Sequence, residues 1–267
     1  MNEIARELRV YTRHDMGVNA VDTLRSQISA TLGQRFDFPT TLRGSTQHFN
    51  VFFDSSLGNA GASHADAVVA VCERDYGVVQ AYFGSITPPG LPFNVIIASH
   101  ISGAYHYGCG TVDLYCQDSS DTDFINMLVV AEEVEVFAYA QGKGWDCAAT
   151  NGEGLSRVLA EALYPEKRVL VAPAWLDRGR PDYITANEDT DADIVSNACA
   201  VLFLNWLHSQ LGFSWAQIVQ AAGASLAQTY TNLTGQSDAY ARFRAQIQAH
   251  FPEGMPSGLM VNNPFPL

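Results

Sequence analysis

Apolar and polar residues alternate along "QHFNVFFDSS" (Gln47–Ser56), and that period of two predicts a strand with one buried face. The preceding run "RFDFPTTLRG" (Arg35–Gly44) also alternates, and an amphipathic segment near Ala20–Leu32 leads into it. In "GNAGASHADAVVAVCERDYGVVQAYFG" (Gly58–Gly84) the apolar spacing changes to that of a helix, opening after a Gly/Asn turn, with Ser63 expected to cap it. "LPFNVIIASH" (Leu91–His100) is a short apolar run with a proline near its start, the pattern of a buried strand. The glycine-punctuated "GAYHYGCGTVDLYCQ" ends in an alternating strand expected over Thr111–Cys116. From Asp123 the spacing is helical, predicting helices over Asp123–Gln141, Gly152–Ala162, Asp191–Leu211, Ser214–Ala222 and Ser237–Phe251. The tail "PEGMPSGLMVNNPFPL" (Pro252–Leu267) reads as an extended strap. A sheet-bearing half followed by a helical half predicts an α+β fold, with a small mixed sheet lobe over 1–122 and a helical lobe over 123–267. Clefts commonly form between such lobes.

Composition narrows the partners. The chain has 267 residues, 47% of them hydrophobic, enough for a substantial core. With 28 acidic against 15 basic side chains, the net charge of -13 repels a phosphate backbone or an anionic bilayer, which argues against nucleic acid as a partner. No stretch has the length and apolarity for membrane insertion. The opening "MNEIARELRVYTRHDM" lacks the pattern of a secretory signal, so a cytoplasmic location is expected. Five cysteines without a C-x-x-C pair argue against a zinc ribbon or a dense disulfide framework. Cys109 and Cys116 are spaced to bridge a hairpin, although free buried thiols are the favoured state. Neither G-x-S-x-G nor a glycine-rich nucleotide loop is present; "GASHA" (Gly61–Ala65) is a near miss. "ANEDTDADI" crowds Glu188, Asp189, Asp191 and Asp193, which suits either a Ca²⁺ loop or the acidic start of a helix.

The chemistry concentrates in "MLVVAEEVEVFAYAQGKGW" (Met127–Trp145), where Glu132, Glu133 and Glu135 sit in an oily segment. The bland reading leaves Glu133 and Glu135 on a wet face and pairs Glu132 with Arg157. Against it, Val129, Val130, Val134, Val136 and Phe137 wrap most of the helix, so at least one glutamate is expected to be buried with a partner.

Two phrases, "AEEVE" (Ala131–Glu135) and "NGEGLSRVLAE" (Asn151–Glu161), resemble the gluzincin metallopeptidases. Their first helix carries His-Glu-x-x-His, and a second helix carries a further glutamate. The likeness extends in general pattern over residues 48 to 250. It implies that Glu132 takes the place of the general base and Glu153 that of the third metal ligand. Ala131 and Glu135 stand where the two zinc-binding histidines would be, and Asn197 where several families have an oxyanion-stabilising tyrosine.

Should Glu132, Glu135 and Glu153 converge, their oxygens, with Glu135 and Glu153 as metal ligands, suit Ca²⁺, Mg²⁺ or Mn²⁺ rather than zinc. Without a metal, the same crowding keeps one carboxyl protonated beside an ionised one, an acid–base pair of the glycosidase kind. His106 is expected across the cleft on the substrate-edge strand. The expected function is that of a pseudoenzyme, a peptidase fold without its zinc motif, holding a peptide or small ligand along Thr111–Cys116. The alternative is a non-zinc hydrolase with Glu132 as base.

Overall fold

The computed structural model describes residue 36 and residues 38–188 and 193–267. The segment at Ala20–Leu32 and the acidic residues Asp189 and Asp191 lie outside these. Two compact units are separable, Met1–Gly77 with Pro88–Val136, and Val78–Thr87 with Phe137–Leu267. The boundary read from the sequence, between 122 and 123, falls at the start of a helix of the first unit.

The first unit is built on a five-stranded sheet in the order β1-β2-β3-β5-β4. Its strands are β1 (Thr40–Ser45), β2 (Phe49–Asp54), β3 (Phe93–Ala98), β4 (Ala104–Tyr105) and β5 (Asp113–Gln117). The central β2, β3 and β5 are mutually parallel, and both edges are antiparallel. All six residues of β3 are buried, as a continuous apolar run on a strand covered on both faces requires. One face carries Val51, Val95 and Leu114 in register, and the rings of Phe49 and Phe93 meet Tyr76 of α1 (Gly58–Tyr82). On the other, Phe36, Ile96, Tyr107 and Tyr115 cluster, with Tyr105 stacked on Tyr115 at 5.0 Å. That face also carries a polar rung in which Asn50 donates to Asn94 and Asn94 to Asp113.

Three expectations change here. The edge of the sheet is β4, which the sequence hid because it is only two residues long and follows a glycine. The strand expected at Thr111–Cys116 is β5, paired with β3 on one side and β4 on the other, so it has no free edge to offer a peptide. Ser63 lies inside α1, five residues past its start, and caps nothing. The cysteine reading also needs correction. Cys116 is a free buried thiol and Cys109 is disulfide-bonded, so no Cys109–Cys116 bridge exists. Cys72 and Cys199 are free and buried as expected, whereas Cys147 is disulfide-bonded.

α2 (Thr122–Gln141) follows β5. The second unit carries α3 (Thr150–Leu163), α4 (Ala172–Leu176), α5 (Ile194–Asn205), α6 (Trp215–Gln220), α7 (Leu226–Thr234) and α8 (Ala239–His250). Its core is aromatic: Phe203, Trp206, Tyr230 and Phe243 pack ring against ring, and Trp175 stacks on Phe243. Asp193 caps α5 by accepting from the Val195 amide, so this member of the acidic run serves the helix start. A π-helical turn, Trp206–Gln210, continues α5 through the rest of the expected long helix. α6 opens with a Ser214/Gln217 capping box. α4 and α7 were not legible as helices. The tail does run as a strap without regular structure. Asn262 pins it by accepting from the Val171 and Ala172 amides and donating to Glu161 and to the Val169 carbonyl. Among the described residues, no helix is long and apolar enough to cross a membrane.

Candidate functional site

Glu132 and Glu135 are three apart on α2 and therefore share a flank. β4 delivers their partner. Pairing of Tyr105 with Tyr115 sets the chain beside β5, and the next residue, His106, turns its ring towards α2. Its Nδ1 lies 2.6 Å from Glu132 Oε2 and 3.7 Å from Glu135 Oε2. The imidazole is 0% exposed, and both carboxylates are buried. A charge-assisted contact of this length in a medium that excludes water holds strand to helix firmly. The Cys116 thiol on β5 feels the same cluster: burial raises its pKa well above the ordinary value, and the Glu132 charge adds to the shift.

Glu133 points elsewhere. It is 0% exposed, and neither carboxyl oxygen has a hydrogen-bond partner among the described residues. Burial raises its pKa well above the usual carboxylate range, and the charges of Asp75 and Glu73 on α1 push it further in the same direction. Glu73 is engaged by the His48 amide and ring, both at 2.7 Å, and Arg74 pairs with Asp75. A wet Glu133 face is thus corrected to a dry one, and Glu135 is likewise buried, because the valines around α2 leave no solvated stripe.

Glu153 belongs to the second unit, in the first turn of α3, buried, with Arg157 Nη2 3.7 Å away one turn on. The arginine expected beside Glu132 therefore serves Glu153. Asn197 is buried in the first turn of α5.

Zinc does not fit the His106–Glu132–Glu135 group as arranged. Two ligand atoms on a tetrahedral zinc at ordinary bond lengths stand about 3.3 Å apart, whereas His106 and Glu132 close to 2.6 Å, the distance of a shared proton. Ala131 contributes no ligand atom.

Two further pairs went unread in the sequence. His64 Nδ1 lies 2.6 Å from Asp118 Oδ1, and His100 Nδ1 lies 3.3 Å from Asp54 Oδ2. Asp54, His100 and Asp118 are at or just beyond the carboxyl ends of β2, β3 and β5, where open parallel sheets gather their ligand-binding groups. The signal was the polar residue that ends or follows each strand, and "GASHA" contributes through its histidine rather than its serine. No protein-family model, curated protein or solved structure matches this chain, so the gluzincin likeness rests on the phrases quoted from the sequence.

Proposed function

We propose that this chain is a peptidase-like fold that has left zinc chemistry and binds a peptide or small ligand in what corresponds to the gluzincin active-site region. One observation carries this reading: Glu132, the residue in the general-base position, is engaged at 2.6 Å by a fully buried histidine. A general base has to reach the proton it removes, and its lone pair has to be available. Here one of its two oxygens, Oε2, is engaged by the protein's own imidazole. The sheet supports the same reading, since β4 is an antiparallel edge strand beside the β5–α2 unit. Its outer backbone edge is where an extended peptide adds by β-augmentation, in place of the Thr111–Cys116 strand. The disulfide-bonded state of Cys109 and of Cys147 favours an oxidising compartment over the cytoplasm.

A second reading draws on the 3.7 Å approach of Glu135 to the same imidazole. Two carboxylates around one histidine make an acid–base group, and a hydrolase would use Glu132 as base.

One set of measurements separates the two. Purified protein is assayed for divalent metal by elemental analysis, for turnover on a panel of peptide, ester and glycoside substrates, and for protection of residues 103–107 from hydrogen exchange by a pool of extended peptides. The binding reading expects protection at the β4 edge and no turnover. Turnover by the wild type that falls about 10²-fold or more in Glu132→Gln replaces it with the hydrolase.

A further inference from the structure

A second candidate site lies wholly in the helical unit. Arg180 is 1% exposed, and its backbone is held at φ 49° by the Tyr240 hydroxyl, which donates to its carbonyl at 2.6 Å. Its guanidinium donates from Nε to the Leu176 carbonyl at the end of α4 and from Nη1 to Gln248 Oε1 at 3.2 Å. Nη2 has no hydrogen-bond partner among the described residues, and the carboxylates of Glu253 and Asp177 act on the guanidinium as charges without a direct ion pair among those residues. Capping α4 uses Nε alone. Burial lowers the pKa of this guanidinium, and the charges of Glu253 and Asp177 offset that only in part.

Gln248 stands between Arg180 and the surface. Because its Oε1 is committed to Arg180, its amide nitrogen is the end that faces away, as a donor. It lines a shallow, open groove together with Ala241, Arg244, Ala245 and Glu253. Arg244 and Glu253 make a half-exposed ion pair across it at 2.9 Å. Such surface pairs are held weakly and open easily. With the pair open, the groove offers the Arg244 fork and the Gln248 amide, backed by the charge of Arg180, against the single carboxylate of Glu253.

We propose that this groove binds a small anion through carboxylate or phosphate oxygens, which bridge Arg244 and Gln248 and neutralise the buried Arg180 behind them. The site is distinct from the His106–Glu132 group and does not depend on the function assigned to it.

The test uses the 267-residue chain with inorganic phosphate and with succinate, followed by calorimetric titration and by thermal melting, against NaCl at matched ionic strength. Wild type is expected to show saturable binding and a rise in Tm beyond that given by NaCl, and the stronger of the two anions identifies the oxygen chemistry preferred. Arg244→Gln, at a half-exposed position, should weaken binding at least tenfold. Gln248→Glu places a carboxylate on Arg180: it should abolish anion binding and by itself raise Tm in anion-free buffer. The proposal is overturned if neither anion exceeds the NaCl control, or if both variants bind as wild type does. A Gln248→Glu variant that melts below wild type also overturns it, since Arg180 would then already be neutralised.

Discussion

At the scale of single residues, the three glutamates of α2 end in three different states, and each state predicts its own response. Glu133 has its pKa raised above the ordinary 4.5 by burial first and by Asp75 and Glu73 next. A carboxyl whose pKa is higher folded than unfolded binds more protons in the native state, so its stabilising contribution is complete below the unfolded value and drains away as pH rises towards the folded one. The limiting slope is about 1.4 kcal/mol per pH unit. Glu133→Gln removes that slope, so the variant should match wild type near pH 4.5 and exceed it increasingly at higher pH, measured by urea unfolding across the range. Glu132 behaves oppositely under truncation. Glu132→Ala removes the 2.6 Å partner of the dry His106 ring and leaves it Glu135 at 3.7 Å, with an expected loss of up to about 3–5 kcal/mol. Adding His106→Ala should cost far less than the sum of the single changes, because the two residues act as one unit. The sequence disclosed that α2 was too apolar to leave its glutamates wet. It could not disclose that His106, 26 positions earlier, was the partner, since that depends on a two-residue edge strand.

At the scale of elements, the phrase "GEGLS" owes part of its character to packing. A β-carbon on Gly154 would come within 2.4 Å of the Ala200 side chain on α5, and one on Gly152 within 2.0 Å of the Asp146 carbonyl. Glycine at 154 is what lets α3 and α5 approach so closely, which places Glu153 between two residues chosen for their lack of side chains. Gly154→Ala should therefore destabilise by about 1–3 kcal/mol through overpacking, read from the denaturation midpoint, and Ala200→Gly should recover much of the loss by vacating the same space. α6 is held by a cap instead: Ser214→Ala removes half of its capping box and should cost about 1 kcal/mol. Long periodic elements, α1, α2 and the buried strand β3, were legible because their burial repeats along the chain. β4, α4 and α7 were not. A two-residue strand and a five-residue helix span too few repeats for any period, and the start of α7 follows small and polar residues that read as a turn.

At the scale of the whole molecule, the net charge of -13 sets a background against which the individual groups act. Like charges on a compact body repel, and lowering the pH relieves the repulsion as the negative charge falls. Glu133, its pKa raised by burial, pushes stability in the same direction as pH rises above its unfolded value, so a pH titration alone confounds the two. Salt separates them. Raising ionic strength from 0.01 M to 0.15 M shortens the screening length from about 30 Å to about 8 Å, which removes most long-range surface repulsion but hardly touches a carboxyl shut away from solvent. The exposed pairs Arg43–Asp66 and Arg244–Glu253 weaken too, yet each contributes little to begin with. Tm near pH 8 is therefore expected to rise with NaCl, and the pH slope of stability to flatten without vanishing. The residue of that slope at high salt should shrink in Glu133→Gln to the part left by Glu161, whose pKa burial pushes up to about 6. A Tm that falls with NaCl would mean that local ion pairs outweigh the repulsion, and a high-salt slope unchanged in the variant would place the buried proton on some group other than Glu133.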